Sequence, residues 1–177
     1  NSSAGGIDTT GGRVSSFSGE GNGGAVTLTA SGDLKTDLIL SFSKGTGTGG
    51  NIALNSRAGG IDTANSRLSS YSSQGNGGSV TLMASGNIKT GQIESMAGFQ
   101  AEWDTIAREP NFTPAANSTG TGGDITIESI RGGVETSTGS LYTMVFRGGC
   151  RECYDQCSRT RRNGRHPLRR LIARRQY

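Results

Sequence analysis

Apolar and polar residues alternate strictly in short stretches of the chain. Val26-Thr27-Leu28-Thr29-Ala30 is the clearest of them, and this period of two marks a strand with one buried face. The phrase Gly-Gly-x-(Val/Ile)-x-(Leu/Ile) carries the pattern at Val26/Leu28, Ile52/Leu54, Val80/Leu82 and Ile125/Ile127. A second phrase, (Ile/Leu/Val)-x-Thr, recurs at Ile7/Thr9, Leu34/Thr36, Ile61/Thr63, Ile88/Thr90 and Val134/Thr136. Its step is constant from Ile7 through Leu34 and Ile61 to Ile88, which defines a 27-residue unit. The last interval, from Ile88 to Val134, carries an insertion of 19.

A longer repeat overlies the short one. Residues 4 to 36 align with 58 to 90 at a shift of 54, with 22 identities in 33 positions and no gap. Gly-rich segments at 19 to 24, 45 to 50, 73 to 78 and 120 to 123 separate the strand patterns and suit tight corners. One unit of three short strands cannot bury its own apolar edge, whereas stacked coils can. The expected fold is all-β: a right-handed parallel β-helix of about five coils, spanning residues 1 to 146. Asn22 with Asn76, and Thr27 with Thr81, stand at equivalent repeat positions and are candidates for stacked hydrogen-bonded ladders.

The insertion, roughly Ala97 to Asn117, breaks the Gly/Ser texture and holds the sole tryptophan. Phe99, Trp103 and Ile106 stand at i, i+4 and i+7, which predicts one face of a short helix ended by Pro110. That face either packs on the flank of the β-helix or protrudes as a contact site, since insertions in repeat arrays often carry the binding face.

Composition fits a thin core. Leu, Ile, Val and Phe number 31 of 177 residues, against 30 Gly and 3 Pro. Such a content marks disorder only when net charge is also high, and here it is +4. No run of apolar residues is long enough to span a membrane. Charge divides the chain in two: residues 1 to 146 hold 8 Lys+Arg and 12 Asp+Glu, while residues 147 to 177 hold 10 Arg and 2 acids. The chain reads as a fragment, from which a signal peptide is either removed or was never part of the segment.

Chemical motifs are weak in the body. Gly19-Gly21-Gly24 and Gly45-Gly47-Gly50 match G-x-G-x-x-G, but no helical pattern follows either, so they read as coil corners and not as phosphate cradles. Asp8, Asp62 and Glu135 recur at one coil position and read as solvated acids. The body has neither Cys nor His, so nucleophilic catalysis by pairs that need them has no partner there. No enzyme activity and no cofactor are expected. A carbohydrate-active β-helix is the alternative, and it would require a flank that gathers acids, Arg and aromatics into a groove.

The tail, expected to be disordered, holds Cys150, Cys153, Cys157 and His166, a conceivable Cys3His zinc set. Its arginines from 159 to 175 could neutralise phosphates, although nucleic acid is not the expected partner. A simpler reading is a shifted frame. Read one base later, the codons of Cys150 to Ser158 permit Gly-Asn-Val-Thr-Ile-Asn-Ala, beside Gly-Ala-Val-Thr-Leu-Thr-Ala at 24 to 30. The shifted valine falls at position 153, as far after Val134 as Val26 falls after Ile7 and Val80 after Ile61. Residues 147 to 177 then represent the next coil misread, and their Cys, His and Arg carry no function.

The repeats GNGGAVTLTASGDLKT and GNGGSVTLMASGNIKTGQIES resemble those of the filamentous haemagglutinin-like exoproteins of two-partner secretion, especially the cyanobacterial kind. The resemblance implies a β-helical shaft and export through an outer-membrane β-barrel transporter. It also implies a secreted or cell-surface location, and attachment to host or cell-surface glycans or proteins. This chain departs from a whole family member in lacking the N-terminal secretion domain that the transporter recognises. Exposed strand edges at the ends of such a piece predict end-to-end self-association.

Overall fold

The computed structural model describes residues 1–104, 109–115, 118–136, 139–145 and 170–173. The repeats form a parallel β-solenoid, all-β and without a helix among the described residues. The first three turns each contribute a long strand and a short one: β1 (Ile7–Ser18) and β2 (Val26–Ala30), β3 (Leu34–Ser43) and β4 (Ile52–Ser56), β5 (Ile61–Ser72) and β6 (Val80–Ala84). The fourth begins with β7 (Ile88–Ala97), is interrupted by β8 (Phe99–Asp104) and β9 (Glu109–Pro114), and closes with β10 (Ile125–Ser129). The next starts with β11 (Val134–Glu135) and β12 (Leu141–Val145), and β13 (Arg170–Ala173) follows.

Long strands stack in parallel in the order β1-β3-β5-β7, with β11 and β12 both on β7. Short strands stack as β2-β4-β6-β10. Ile7 lies opposite Leu34, Leu34 opposite Ile61, Ile61 opposite Ile88 and Ile88 opposite Val134, so the (Ile/Leu/Val)-x-Thr phrase marks one rung after another. The Gly-Gly phrase does the same through Val26, Ile52, Val80 and Ile125. Three regular 27-residue turns thus lead from Ile7 to Ile88, and a fourth, enlarged by the insertion, leads to Val134.

Each turn carries two strands and not three, because the corner within a long strand is absorbed as a register irregularity, between Thr9 and Arg13 in β1 and between Thr63 and Arg67 in β5. The core is a bundle of inward columns, each one side chain thick. Leu34, Ile61 and Ile88 form one, Ile39, Leu68 and Ile93 a second, and Ile52, Val80 and Ile125 a third, all in one buried cluster. Every inward side chain packs on its counterparts above and below at the strand spacing of about 4.8 Å. So few aliphatics suffice because the columns are narrow.

The insertion is a hairpin, and the expected helix over Phe99 and Trp103 is absent. β8 and β9 pair antiparallel from Phe99 opposite Pro114 to Asp104 opposite Glu109. Gly98, at φ 83, turns the chain out of the coil, a conformation that glycine adopts without penalty. Its N–H donates to Ser72 O (2.9 Å) and its carbonyl accepts from Ala115 N (2.7 Å), closing the neck of the hairpin. Pro110, expected to stop a helix, sits on β9 opposite Trp103, a place that proline takes on an edge strand. Ile106 lies outside the described residues.

Of the tail, residues 170–173 run antiparallel on β10, with Ile125 opposite Ala173 and Glu128 opposite Arg170. Cys150, Cys153, Cys157 and His166, most of the arginine-rich stretch and the codons of the frame argument lie outside the described residues.

Candidate functional site

Because Ile39, Leu68 and Ile93 point into the core, their neighbours on the same strands point outward. Three outward columns line this flank. One runs Phe17, Phe42, Tyr71 and Met96, a second Ser15, Leu40, Ser69 and Glu94, and a third includes Arg13, Arg67 and Gln92. The rings of Phe17 and Phe42 stack with centroids 5.5 Å apart, and those of Phe42 and Tyr71 at 4.8 Å and nearly parallel. The stack begins exposed, with Phe17 at 67%, and ends buried, with Tyr71 at 2%. Burial pushes the Tyr71 hydroxyl pKa well above its ordinary value.

Glu94 is the carboxylate on these columns and is itself buried, at 5%. Arg67 Nε stands 3.8 Å from its Oε2, and the Gln92 amide donates to its Oε1. The flank therefore gathers an acid, an arginine and aromatics, three residue types that a carbohydrate-active surface would use. Glycoside hydrolysis ordinarily needs two carboxyl groups facing the bond, and these columns supply one, engaged by Arg67 and Gln92. Among the described residues, no three of His, Cys, Asp and Glu come together as a metal site.

On the adjacent face the recurring acids do not stand alone. Asp8, Lys35, Asp62, Lys89 and Glu135 occupy successive rungs of one exposed column, with charge alternating along it. Lys89 Nζ lies 4.0 Å from Glu135 Oε2. At Asp8 the Thr10 hydroxyl (2.6 Å) and N–H (2.9 Å) donate to Oδ1. These bonds, and then the Lys35 charge, hold its carboxyl below the usual range. Exposed pairs of this kind contribute little to stability.

The glycine corners do not form phosphate cradles. Gly23 N donates to Thr48 O (2.8 Å), Gly47 N to Glu20 O (3.3 Å) and Gly49 N to Asn76 O (2.8 Å), so these amides bond successive turns together. The pairs expected to stack as ladders, Asn22 with Asn76 and Thr27 with Thr81, do not adjoin either. Asn22 Oδ1 accepts from Thr48 N (2.9 Å) and Asn76 Oδ1 from Thr121 N (2.8 Å). Thr27 faces Ala53, and Thr81 faces Ala53 and Thr126. Members of each expected pair are two turns apart and cannot touch.

Sequence reading missed a column of inward hydroxyls. Ser41 donates to Gly24 O, Ser70 to Gly50 O and Ser95 to Gly78 O, each at 2.8 Å, and Thr143 donates to Gly123 O at 2.9 Å. The hydroxyls also accept: Gly78 N bonds Ser70 Oγ (2.8 Å) and Gly123 N bonds Ser95 Oγ (2.6 Å). The signal was available, since Ser41, Ser70 and Ser95 each stand two positions after an inward Ile or Leu. Ser95→Ala removes both bonds and leaves a buried N–H and C=O facing a methyl group. A loss of about 1–3 kcal/mol is expected, read as a fall in the urea midpoint, with Ser95→Thr retaining more stability than Ser95→Ala.

Phe99 and Trp103 share strand β8, four positions apart, in the hairpin that leaves the coil after Ala97. Among the described residues no helix is long and apolar enough to cross a membrane. Comparison with known proteins gave no match to a family model, a curated sequence or a solved structure.

Proposed function

We propose that this chain is a shaft segment of a large secreted or cell-surface exoprotein that mediates attachment, of the filamentous haemagglutinin-like kind, with no chemistry of its own. The observation that carries this reading is the parallel stack, in which each 27-residue turn adds one rung to both sheets. Such a chain gains length in proportion to its repeats, as a spacer requires. Export through an outer-membrane β-barrel transporter suits it, because each emerging coil finds a finished template in the one before. The hairpin β8–β9 is the natural contact element for host or cell-surface glycans or proteins, since it departs from the stack.

The test uses the full-length gene in its own cell. Deletion of the hairpin residues 99–114 is expected to leave surface display, measured with an antibody to the body, intact and to lower attachment. Deletion of residues 34–87 is expected to leave both unchanged. Loss of display in neither variant together with unaltered attachment in both would overturn the contact role, and absence of the natural product from the surface would overturn the reading altogether. The second reading, a carbohydrate-active flank, draws on Arg67, Glu94 and the aromatic stack. It predicts polysaccharide binding that Phe17→Ala weakens, since Phe17 is the exposed end of that stack.

A further inference from the structure

The coils come in two alternating kinds. In the first, third and fifth, successive inward residues across the corner stand seven apart: Ile7 and Val14, Ile61 and Leu68, Val134 and Leu141. In the second and fourth they stand five apart: Leu34 and Ile39, Ile88 and Ile93. The register irregularities absorb that difference at every junction between long strands of the regular turns. The exposed column alternates in step, with an acid in the odd coils and a lysine in the even ones.

The bonds between coils alternate too. From the first coil to the second, Thr48 N bonds Asn22 Oδ1 (2.9 Å), Gly60 N bonds Asp33 Oδ1 (2.8 Å) and Ser56 Oγ bonds Gly32 O (2.7 Å). The same three bridges return between the third and fourth: Thr121 N to Asn76 Oδ1 (2.8 Å), Gly133 N to Asn87 Oδ1 (2.9 Å) and Ser129 Oγ to Gly86 O (2.7 Å). Between the second and third coils different groups serve, Ser79 N to Asn51 Oδ1 (2.9 Å) and Ser66 Oγ to Asp37 O. Ala30 and Ala84 close the odd short strands where Ser56 and Ser129 close the even ones.

One column shows why the kinds do not interchange. The residues immediately before the long strands are Gly6, Asp33, Gly60, Asn87 and Gly133, glycine alternating with Asp or Asn. A Cβ on Gly6 would stand 2.5 Å from Asp33 O, and one on Gly60 would stand 2.5 Å from Asn87 O, too close for any side chain. Stacking like on like would set Asp33 against Asn87, where each now has glycine as its neighbour. It would also bring Asp8 against Asp62, where each now faces Lys35.

We propose that the 54-residue pair of coils is the stacking unit of this solenoid, and that an open coil edge accepts only a coil of the opposite kind. The single 27-residue turn sets the geometry, while the pair sets the specificity.

Four variants of the full chain test this by thermal melting followed by far-UV circular dichroism. Deleting residues 34–60 removes one coil and joins odd to odd, whereas deleting 34–87 removes a pair and keeps the alternation. The shorter chain is expected to melt higher, against the ordinary rule that fewer repeats are less stable. Duplicating 34–87 is expected to raise Tm above the parent, and duplicating 34–60 to lower it. If neither deletion variant folds, the duplications decide. A rescue separates alternation from damage at the joint: the 34–60 deletion leaves Asp33 in place before Ile61, so adding Asp8→Lys and Asp33→Gly to that chain is expected to recover part of the lost Tm. Stability that tracks coil number alone, with the 34–60 deletion melting at or above the 34–87 deletion, overturns the proposal. So does a duplication of 34–60 that stabilises as the pair does.

Discussion

Leu82→Ala is expected to cost about 2–5 kcal/mol of unfolding free energy, a large share of the roughly 5–15 kcal/mol that holds a typical domain folded. Leu82 is fully buried, directly between Leu54 on the rung before and Ile127 on the rung after. In an ordinary core the walls relax toward a cavity and recover part of the lost contact. Here the rungs above and below are held apart by ladder hydrogen bonds at about 4.8 Å, so the column cannot close and the cost falls toward the upper end. Leu82→Asp is expected to unfold the chain, because the carboxylate would enter a column of aliphatics with no partner. Thr81→Ala, one position away but outward, is expected to change stability by no more than about 0.5 kcal/mol. Urea titration followed by circular dichroism checks all three, and equal losses at 81 and 82 would contradict the assigned faces.

The second large effect lies in a corner. Gly78→Ala is expected to cost about 1–3 kcal/mol or more, and Gly78→Val to prevent folding. A Cβ at Gly78 would lie 2.5 Å from both Gly49 O and Gly50 O, backbone atoms of the turn before. Neither carbonyl can move without loosening the inter-turn bonds of the corner. The peptide unit is also committed on both sides, its N–H to Ser70 Oγ and its carbonyl to Ser95 Oγ, each at 2.8 Å. Gly19 gives the contrast. Nothing lies within 4 Å of a Cβ there, so Gly19→Ala is expected to be neutral or to stabilise slightly by restricting the unfolded chain. Tm values of the two alanine variants decide the matter. A small effect at Gly78 would mean that the corners stack more loosely than described.

These expectations rest on a fold that was largely legible in the residues. The two apolar phrases mark the rungs one for one because an inward side chain in a solenoid must meet its own kind on the next turn. What the phrases did not reveal was the meaning of the 54-residue repeat. Asn22 and Asn76 looked like stacking partners because they are identical, yet that longer repeat places them two turns apart, and the real partners are backbone amides of the intervening kind of coil.

The insertion carries two competing patterns. Phe99, Trp103 and Ile106 satisfy a helical spacing, but Phe99-Gln100-Ala101-Glu102-Trp103-Asp104 also alternates apolar and polar at every step. That stricter pattern is the one the chain obeys in β8. The pairing of Arg67 with Glu94 was out of reach of sequence alone. The two stand on adjacent turns, and their approach follows only once the coil length and the inward face of β5 and β7 are known.

The most direct test of the account is oxidative cross-linking between outward cysteines placed on the charged column. In a chain whose Cys150, Cys153 and Cys157 are replaced by serine, Lys35→Cys with Asp62→Cys places thiols on adjacent rungs. Lys35→Cys with Lys89→Cys places them two rungs apart. A disulfide needs Cα atoms within about 7 Å, which rungs about 4.8 Å apart allow and double that spacing forbids. A solenoid climbing one rung per 27-residue turn predicts rapid, nearly complete disulfide formation in the first pair and none within the monomer in the second. Cross-linking of the second pair, or failure of the first in a folded chain, would contradict it.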